Sequence, residues 1–240
     1  MSILDLPDEM LLCILNKSNN INVLYSLVDE FHQFLDRFWT SILRRIHHQI
    51  NKLTLGQLSI ERLLHIVDYP QLYSLSLVFC QPEIILNYLI VTSYYHEFVP
   101  LFRRMSNLAE LTLFLFVKGI NSTHIDGIHL NDEILVRMPR LNKFTFSITT
   151  RVYNRTSNIF LPSNDDIQRS FIERRYQQIG SYADDNTIKI RARCHIYSLP
   201  YHFHMFHNVT NSFQGGMFNK VRSVIVTDDI YPFEHEFFQI

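Results

Sequence analysis

Five times along the chain an apolar residue is followed, three and five positions later, by two more: Ile50-Leu53-Leu55, Leu72-Leu75-Leu77, Leu108-Leu111-Leu113, Leu141-Phe144-Phe146 and Val221-Val224-Val226. The last two positions of each motif lie two apart, the period that puts side chains on one face of a β-strand. Three of the lead-ins are alike, Tyr69-Pro70-Gln71-Leu72, Met105-Ser106-Asn107-Leu108 and Met138-Pro139-Arg140-Leu141, and each reads as a helix end turning into a short strand. A strand with one apolar face is not stable alone, so units of this kind must cover one another. The motifs start 22, 36, 33 and 80 residues apart, which predicts an irregular array. Residues between the motif positions should point the other way: Ser74, Ser76 and Val78; Glu110, Thr112 and Phe114; Lys143, Thr145 and Ser147; Ser223, Ile225 and Thr227.

The N-terminus carries a different signal. Pro7 suits a first helical position, where its missing N–H costs nothing, and Asp8 and Glu9 favour the positive end of a helix dipole. The apolar run Met10 to Leu15 follows, and the polar cluster Asn16 to Asn20 should end that helix. A helix apolar on nearly every side must be covered by its own chain or by a partner. From Ile21, apolar residues recur at Leu24, Val28, Phe31, Leu35, Phe38 and Ile42, alternating steps of three and four that predict a second helix. That stripe can pack on the first helix and the following domain, or form a coiled coil.

Leu6-Pro7-Asp8-Glu9, then Leu11, Leu12, Ile14, Leu15, Leu24, Leu27, Val28, Leu35 and Trp39, resemble the F-box family over about Leu4 to Ile46. Ser18 and Asp29-Glu30 depart from that pattern. The recurring strand motif resembles the leucine-rich repeat. Only the second unit carries the expected Asn or Cys, as Cys80. A mixed α/β domain whose strands look alike also fits the spacing. Together the two resemblances imply a substrate-recognition adaptor that holds the Skp adaptor of a cullin ligase scaffold and captures a protein substrate. Skp binding would fall to Leu6, Pro7, Glu9, Leu11, Leu12, Ile14, Leu15, Leu24, Val28 and Trp39.

Further along, Lys118 to Leu130 and Thr150 to Pro162 read as loops, with Asn131 expected to cap the helix after the first. Ser163-Asn164-Asp165-Asp166 reads as a capping box, and its helix should run to Ile179 with Gly180 stopping it. Then Ile188, Ile190, Ala192, Cys194 and Ile196 alternate with Lys189, Arg191, Arg193, His195 and Tyr197, which predicts a half-buried strand with one basic face. That face is a candidate cationic strip for an acidic ligand or a charged, protected sheet edge.

Several functions are excluded or unsupported. With 22 Lys plus Arg against 23 Asp plus Glu, no global field draws the chain to nucleic acid or to an anionic membrane. The longest apolar runs fall far short of the roughly 20 residues of a spanning helix, and no signal peptide opens the chain. The three cysteines, Cys13, Cys80 and Cys194, are odd in number and set in apolar sequence, as reduced thiols of the cytoplasm or nucleus are. Cys194-His195, His202, His204 and His207 bring soft and imidazole ligands into a short span, but without the paired spacing of a zinc site. No nucleophile elbow, phosphate loop or zinc-protease helix occurs.

The sequence therefore predicts an α/β chain without enzyme activity, metal or cofactor. The resemblances imply that residues 1–46 form an N-terminal helical F-box-like module. They imply that residues 47–240 form an irregular leucine-rich-repeat-like α/β solenoid, expected to bind substrate through Ser74, Ser76, Glu110, Thr112, Phe114, Lys143, Thr145, Arg191 and Arg193. The aromatic end, Phe233 to Ile240, lacks a capping unit and leaves truncation open. A repeat scaffold without ligase function is the nearer alternative, and a metal-dependent enzyme using the histidines the farther one.

Overall fold

The computed structural model describes residues 21–22, 43–55, 69–78, 102, 105, 107–120, 124–153, 163–172, 178–186, 191–209, 213 and 218–226. The chain divides into two compact units, residues 1–80, 95–113 and 134–144 in the first and residues 81–94, 114–133 and 145–240 in the second.

The first unit is built on the apolar triplets. Strand β2 (Lys52–Leu55) pairs in parallel with β1 (Ile21–Asn22) on one side and with β3 (Ser74–Val78) on the other, and the starts of β4 (Glu110–Ile120) and β5 (Lys143–Tyr153) follow in that order. Ile50, Leu53 and Leu55, Leu72, Leu75 and Leu77, and Leu108, Leu111 and Leu113 are all buried, several of them completely. Burial of each such side chain is worth about 1.5–3 kcal/mol. The lead-ins share one turn: the N–H groups of Ile50, Leu72, Leu108 and Leu141 donate to the carbonyls of His47, Tyr69, Met105 and Met138 at 3.0–3.3 Å. Successive turns are then tied together. The N–H groups of Tyr73 and Ser74 share Asn51 O, those of Ala109 and Glu110 share Tyr73 O, and those of Asn142 and Lys143 share Ala109 O. A short helix α1 (Leu43–Ile46) and the 3₁₀ turn His47–Gln49 lead into the first of these.

In the second unit the strand order is β4, β5, β7 (Arg191–Ser198), β6 (Ile179–Asn186), with β7 antiparallel to both neighbours. Helix α2 (Gly127–Glu133) and helix α3 (Asn164–Ile172) meet at Gly127, whose N–H donates to Ser170 Oγ at 2.9 Å. Phe171 of α3 stacks on Phe146 of β5 at 5.6 Å. A separate parallel pair, β8 (Met205–Val209) and β9 (Ser223–Val226), repeats the turn geometry of the first unit, with Val221 N–H on Phe218 O and the N–H groups of Arg222 and Ser223 sharing His204 O.

A Cβ on Gly127 would lie 2.6–2.8 Å from the backbone of Ser170 and Phe171, which no side-chain movement relieves. Gly127→Ala is expected to lower stability by about 1–3 kcal/mol, the usual range for overpacking, read as a lower midpoint in urea unfolding.

This architecture corrects the expected helical module followed by a repeat solenoid. Among the described residues strand outweighs helix, 45% to 23%, and β5 is followed in its sheet by antiparallel β7 and β6 instead of a further parallel unit. Ile21, the head of the expected helical stripe, is in a strand, with Leu53 as its partner. The rest of that stripe and the expected helix from Pro7 lie outside the described residues.

Local expectations also changed. Asp126, not Asn131, caps α2, accepting from the His129 N–H at 2.9 Å. The capping of α3 by Ser163 holds: its Oγ accepts from Asp166 N–H at 3.1 Å and donates to Asp166 Oδ2 at 2.6 Å. Gly180 lies inside β6 and terminates no helix; the Tyr197 ring occupies the place a Cβ would take there, which accounts for the glycine. The fifth motif keeps its turn but not its burial, since Val224 is 53% exposed.

Candidate functional site

Two places in the molecule could carry function. The first is the side of the strands in the first unit opposite the buried leucines. Thr54, Ser74, Ser76, Val78, Glu110 and Thr112 are half-buried there and Lys143 is exposed, as the alternation of strand side chains requires. Lys52 lies opposite Ser74 and Thr54 opposite Ser76, giving short rows of small hydroxyls with charge at the strand starts.

In the second unit the expected outward residues are covered. Phe114 is 2% exposed, Thr145 7% and Ser147 4%, so none of them presents a free surface. The cover is residues 201–209, which follow β7. Phe203 lies on Phe114 with ring centroids 4.9 Å apart, and His207 lies on Phe114 and Phe116 at 5.6 and 5.3 Å. Tyr201, Phe206 and Val209 of this segment form one buried cluster with Tyr182 and Tyr197, against which Phe213 and Phe218 pack. Close tilted aromatic pairs of this kind add about 0.5–1.5 kcal/mol each beyond their area.

A relay of polar groups threads this aromatic layer. His195 Nδ1 is 3.0 Å from Tyr182 Oη, and its Nε2 is 2.9 Å from Ser147 Oγ. Ser147 Oγ is 3.2 Å from Tyr201 Oη. Tyr182 O–H donates to His207 O at 3.2 Å, and Tyr201 O–H donates to Met205 O at 2.8 Å. Those two donations fix the rest. His195 must carry its proton on Nδ1 to donate to Tyr182, so Nε2 accepts from Ser147 O–H. The Ser147–Tyr201 contact is then left without a proton, because a neutral relay supplies one fewer proton than it has contacts. Burial, and then the neighbouring His207 and Arg193, push the His195 imidazole down to about 3. Burial raises the Tyr182 hydroxyl too, and lifts the Tyr197 hydroxyl to about 12.

The Ser147–His195–Tyr182 order resembles a nucleophile, its base and an orienting group. All three are buried, with His195 1% and Tyr182 0% exposed, and Tyr201 sits on Ser147. Among the described residues His195 and Tyr201 both lie against Ser147 Oγ. The relay instead fastens the β8 backbone, through the His207 carbonyl, to the sheet.

Of the expected cationic strip, Arg193 is half-buried, in register with Arg151 and Asp184, and Arg191 pairs with Tyr153 and Asn186. Its other members, His195 and Tyr197, are buried, so β7 has no basic solvent face there. Leu6, Pro7, Glu9, Leu11, Leu12, Ile14, Leu15, Leu24, Val28 and Trp39 lie outside the described residues. Sequence reasoning placed Ser147 outward and read His195 as a surface or ligand residue, and it passed over Tyr182 and Tyr201. The aromatic spacing Tyr197, Tyr201, Phe203, Phe206 was the available signal.

His129 and Asp126 form a smaller polar pair, Nδ1 to Oδ1 at 2.7 Å, half-buried beside His124. Among the described residues no group of three or more His, Cys, Asp or Glu side chains is placed to hold a metal ion. Burial lifts the Cys194 thiol to about 12, which keeps it protonated. No helix among the described residues is long and apolar enough to cross a membrane. No family model matches the chain, and neither a curated protein nor a solved structure matches it.

Proposed function

We propose that the chain is a substrate-recognition adaptor of a cullin-type (SCF) ubiquitin ligase, working in the cytosol or nucleus. It would hold the Skp adaptor through the segment around Leu6-Pro7-Asp8-Glu9 and Met10 to Leu15, and a protein substrate through the first unit. The observation that carries the substrate half is the strand face bearing Ser74, Ser76, Glu110 and Thr112, partly open and backed by fully buried leucines. A rigid backing with short, varied polar side chains suits recognition of a polypeptide, and strand rows of this kind serve as binding surfaces in stacked-unit proteins. Catalysis would belong to other subunits, with this chain supplying proximity between substrate and the ubiquitin-loaded enzyme.

Docking on the Skp adaptor would draw on burial of apolar side chains worth about 1.5–3 kcal/mol each. Leu12→Asp and Ile14→Asp, which remove such a side chain and bring in a charge, are each expected to abolish copurification with a coexpressed Skp adaptor. Undiminished copurification of both folded variants would refute the assignment. A binding scaffold without ligase function is the second reading. It is favoured by Ile21–Asn22, which tie part of the N-terminal segment into the sheet beside β2.

A further inference from the structure

Resting on the reading that the first unit takes a polypeptide, we infer that its open strand face selects an extended segment in which acidic, basic and acidic residues occupy every second position. The register of the strands fixes the charges that do this. Lys52 lies opposite Ser74. The N–H groups of Ala109 and Glu110 share Tyr73 O just as those of Tyr73 and Ser74 share Asn51 O, so Glu110 takes the place beside Ser74. Asn142 and Lys143 share Ala109 O in the same way, which puts Lys143 beside Glu110. One row across β2, β3, β4 and β5 therefore holds Lys52, Ser74, Glu110 and Lys143. Each directly precedes the middle residue of an apolar triplet and faces away from the leucine layer, the two lysines exposed and Ser74 and Glu110 half-buried.

The charges of this row are not spent within the chain. Among the described residues Lys52, Glu110 and Lys143 take part in no ion pair, although Glu110 and Lys143 are neighbours in the row. The Ser74 hydroxyl makes no side-chain hydrogen bond among the described residues either. A half-buried carboxylate in that state has lost part of its hydration without gaining a partner, and a cation arriving from outside supplies one.

Spacing decides what can satisfy all three charges at once. Adjacent strands lie about 4.8 Å apart, which puts Glu110 roughly 10 Å and Lys143 roughly 14 Å from Lys52 along the row. An extended peptide laid across the strands turns every second side chain to the sheet, about 6.7 Å apart, so three such residues span roughly 13 Å. The outer two meet Lys52 and Lys143, where carboxylates complement the ammonium groups. The middle one arrives between Ser74 and Glu110, where a Lys or Arg donates to the Glu110 carboxylate and to the serine oxygen. A uniformly acidic segment sets a like charge against Glu110, and a uniformly basic one sets like charges against both lysines, so the row rejects either.

Selection of a phage-displayed random peptide library on the full chain tests the assignment, with Glu110→Lys and Lys143→Glu as parallel baits whose far-ultraviolet spectra match the wild type. Peptides recovered on the wild type should alternate acid, base and acid at every second residue. Those recovered on Glu110→Lys should carry an acid in the middle, and those on Lys143→Glu a base at one end. A synthetic copy of a peptide selected on the wild type should bind each variant at least about tenfold more weakly, since attraction is replaced by repulsion. The two variants act at different strands, so either alone keeps the test decisive if the other fails to fold. Recovered peptides without the alternation, or with equal affinity for wild type and variants, would overturn the inference and leave polypeptide binding by the chain standing. Recovery of no peptide on the wild type would overturn both.

Discussion

Lowering the pH from 7 to 5 is expected to remove about 2 kcal/mol of stability through His195 alone, and acidification to pH 3 on the order of 4 kcal/mol. In the unfolded chain the imidazole titrates near 6.5, whereas the folded value is depressed to about 3 by burial and then by His207 and Arg193. The unfolded state therefore binds a proton first as the pH falls. Stability is full above about pH 6.5, declines by about 1.4 kcal/mol per unit below it, and levels off near the folded value. His207, also lowered by burial, adds in the same direction. His129 has the opposite sign: its hydrogen bond to Asp126 raises it, so its contribution is present below 6.5 and lost as the pH rises through the folded value. Urea unfolding at pH 7, 6 and 5 checks the balance. A midpoint that holds constant or rises on acidification in the wild type and in His129→Gln alike would contradict burial of His195 in the neutral form.

Tyr182→Phe should be the most damaging single-atom change in the second unit, at about 2–4 kcal/mol. The lost oxygen accepts from His195 Nδ1–H and donates to His207 O. Tyr182 is 0% exposed, so water does not replace either bond. Each orphaned buried group costs about 1–3 kcal/mol. Tyr197→Phe makes a good comparison, because the Tyr197 ring packs in the same cluster. Thermal unfolding of the pair should show Tyr182→Phe melting several degrees lower. Equal melting temperatures would mean that the relay contributes packing only.

How much of this was legible in the sequence depended on the range of the interaction. The triplets at Ile50, Leu72 and Leu108 were readable because inward and outward positions alternate within one strand, and burial followed the pattern. The Ser163 cap was readable for the same reason, its partner lying three residues away. Asp126 and Asn131 carry equal capping propensity, and the choice between them turns on where Gly127 can approach Ser170, a contact across 43 residues. The basic face of β7 failed at longer range. His195 and Tyr197 look solvent-facing from alternation alone, but the sheet is covered by residues that come later in the chain and pack only once the turn after β7 returns them. The fold class failed because the triplet pattern specifies the strand and its turn, not what lies beside it, and β7 enters the sheet next to β5 in the antiparallel sense. For the candidate site, the hydroxyl rows of the first unit were foreseen, while the relay depends on Tyr182, Ser147 and Tyr201 converging on His195 from separate segments.

The measurement that bears most directly on the proposed function is a calorimetric titration of the full chain with purified Skp adaptor, beside an Ile14→Asp variant whose far-ultraviolet spectrum matches the wild type. The ligase-adaptor account predicts saturable binding by the wild type, with the negative heat-capacity change of apolar burial, and no heat from the variant. Absence of binding by the wild type, or equal binding by both, would contradict it.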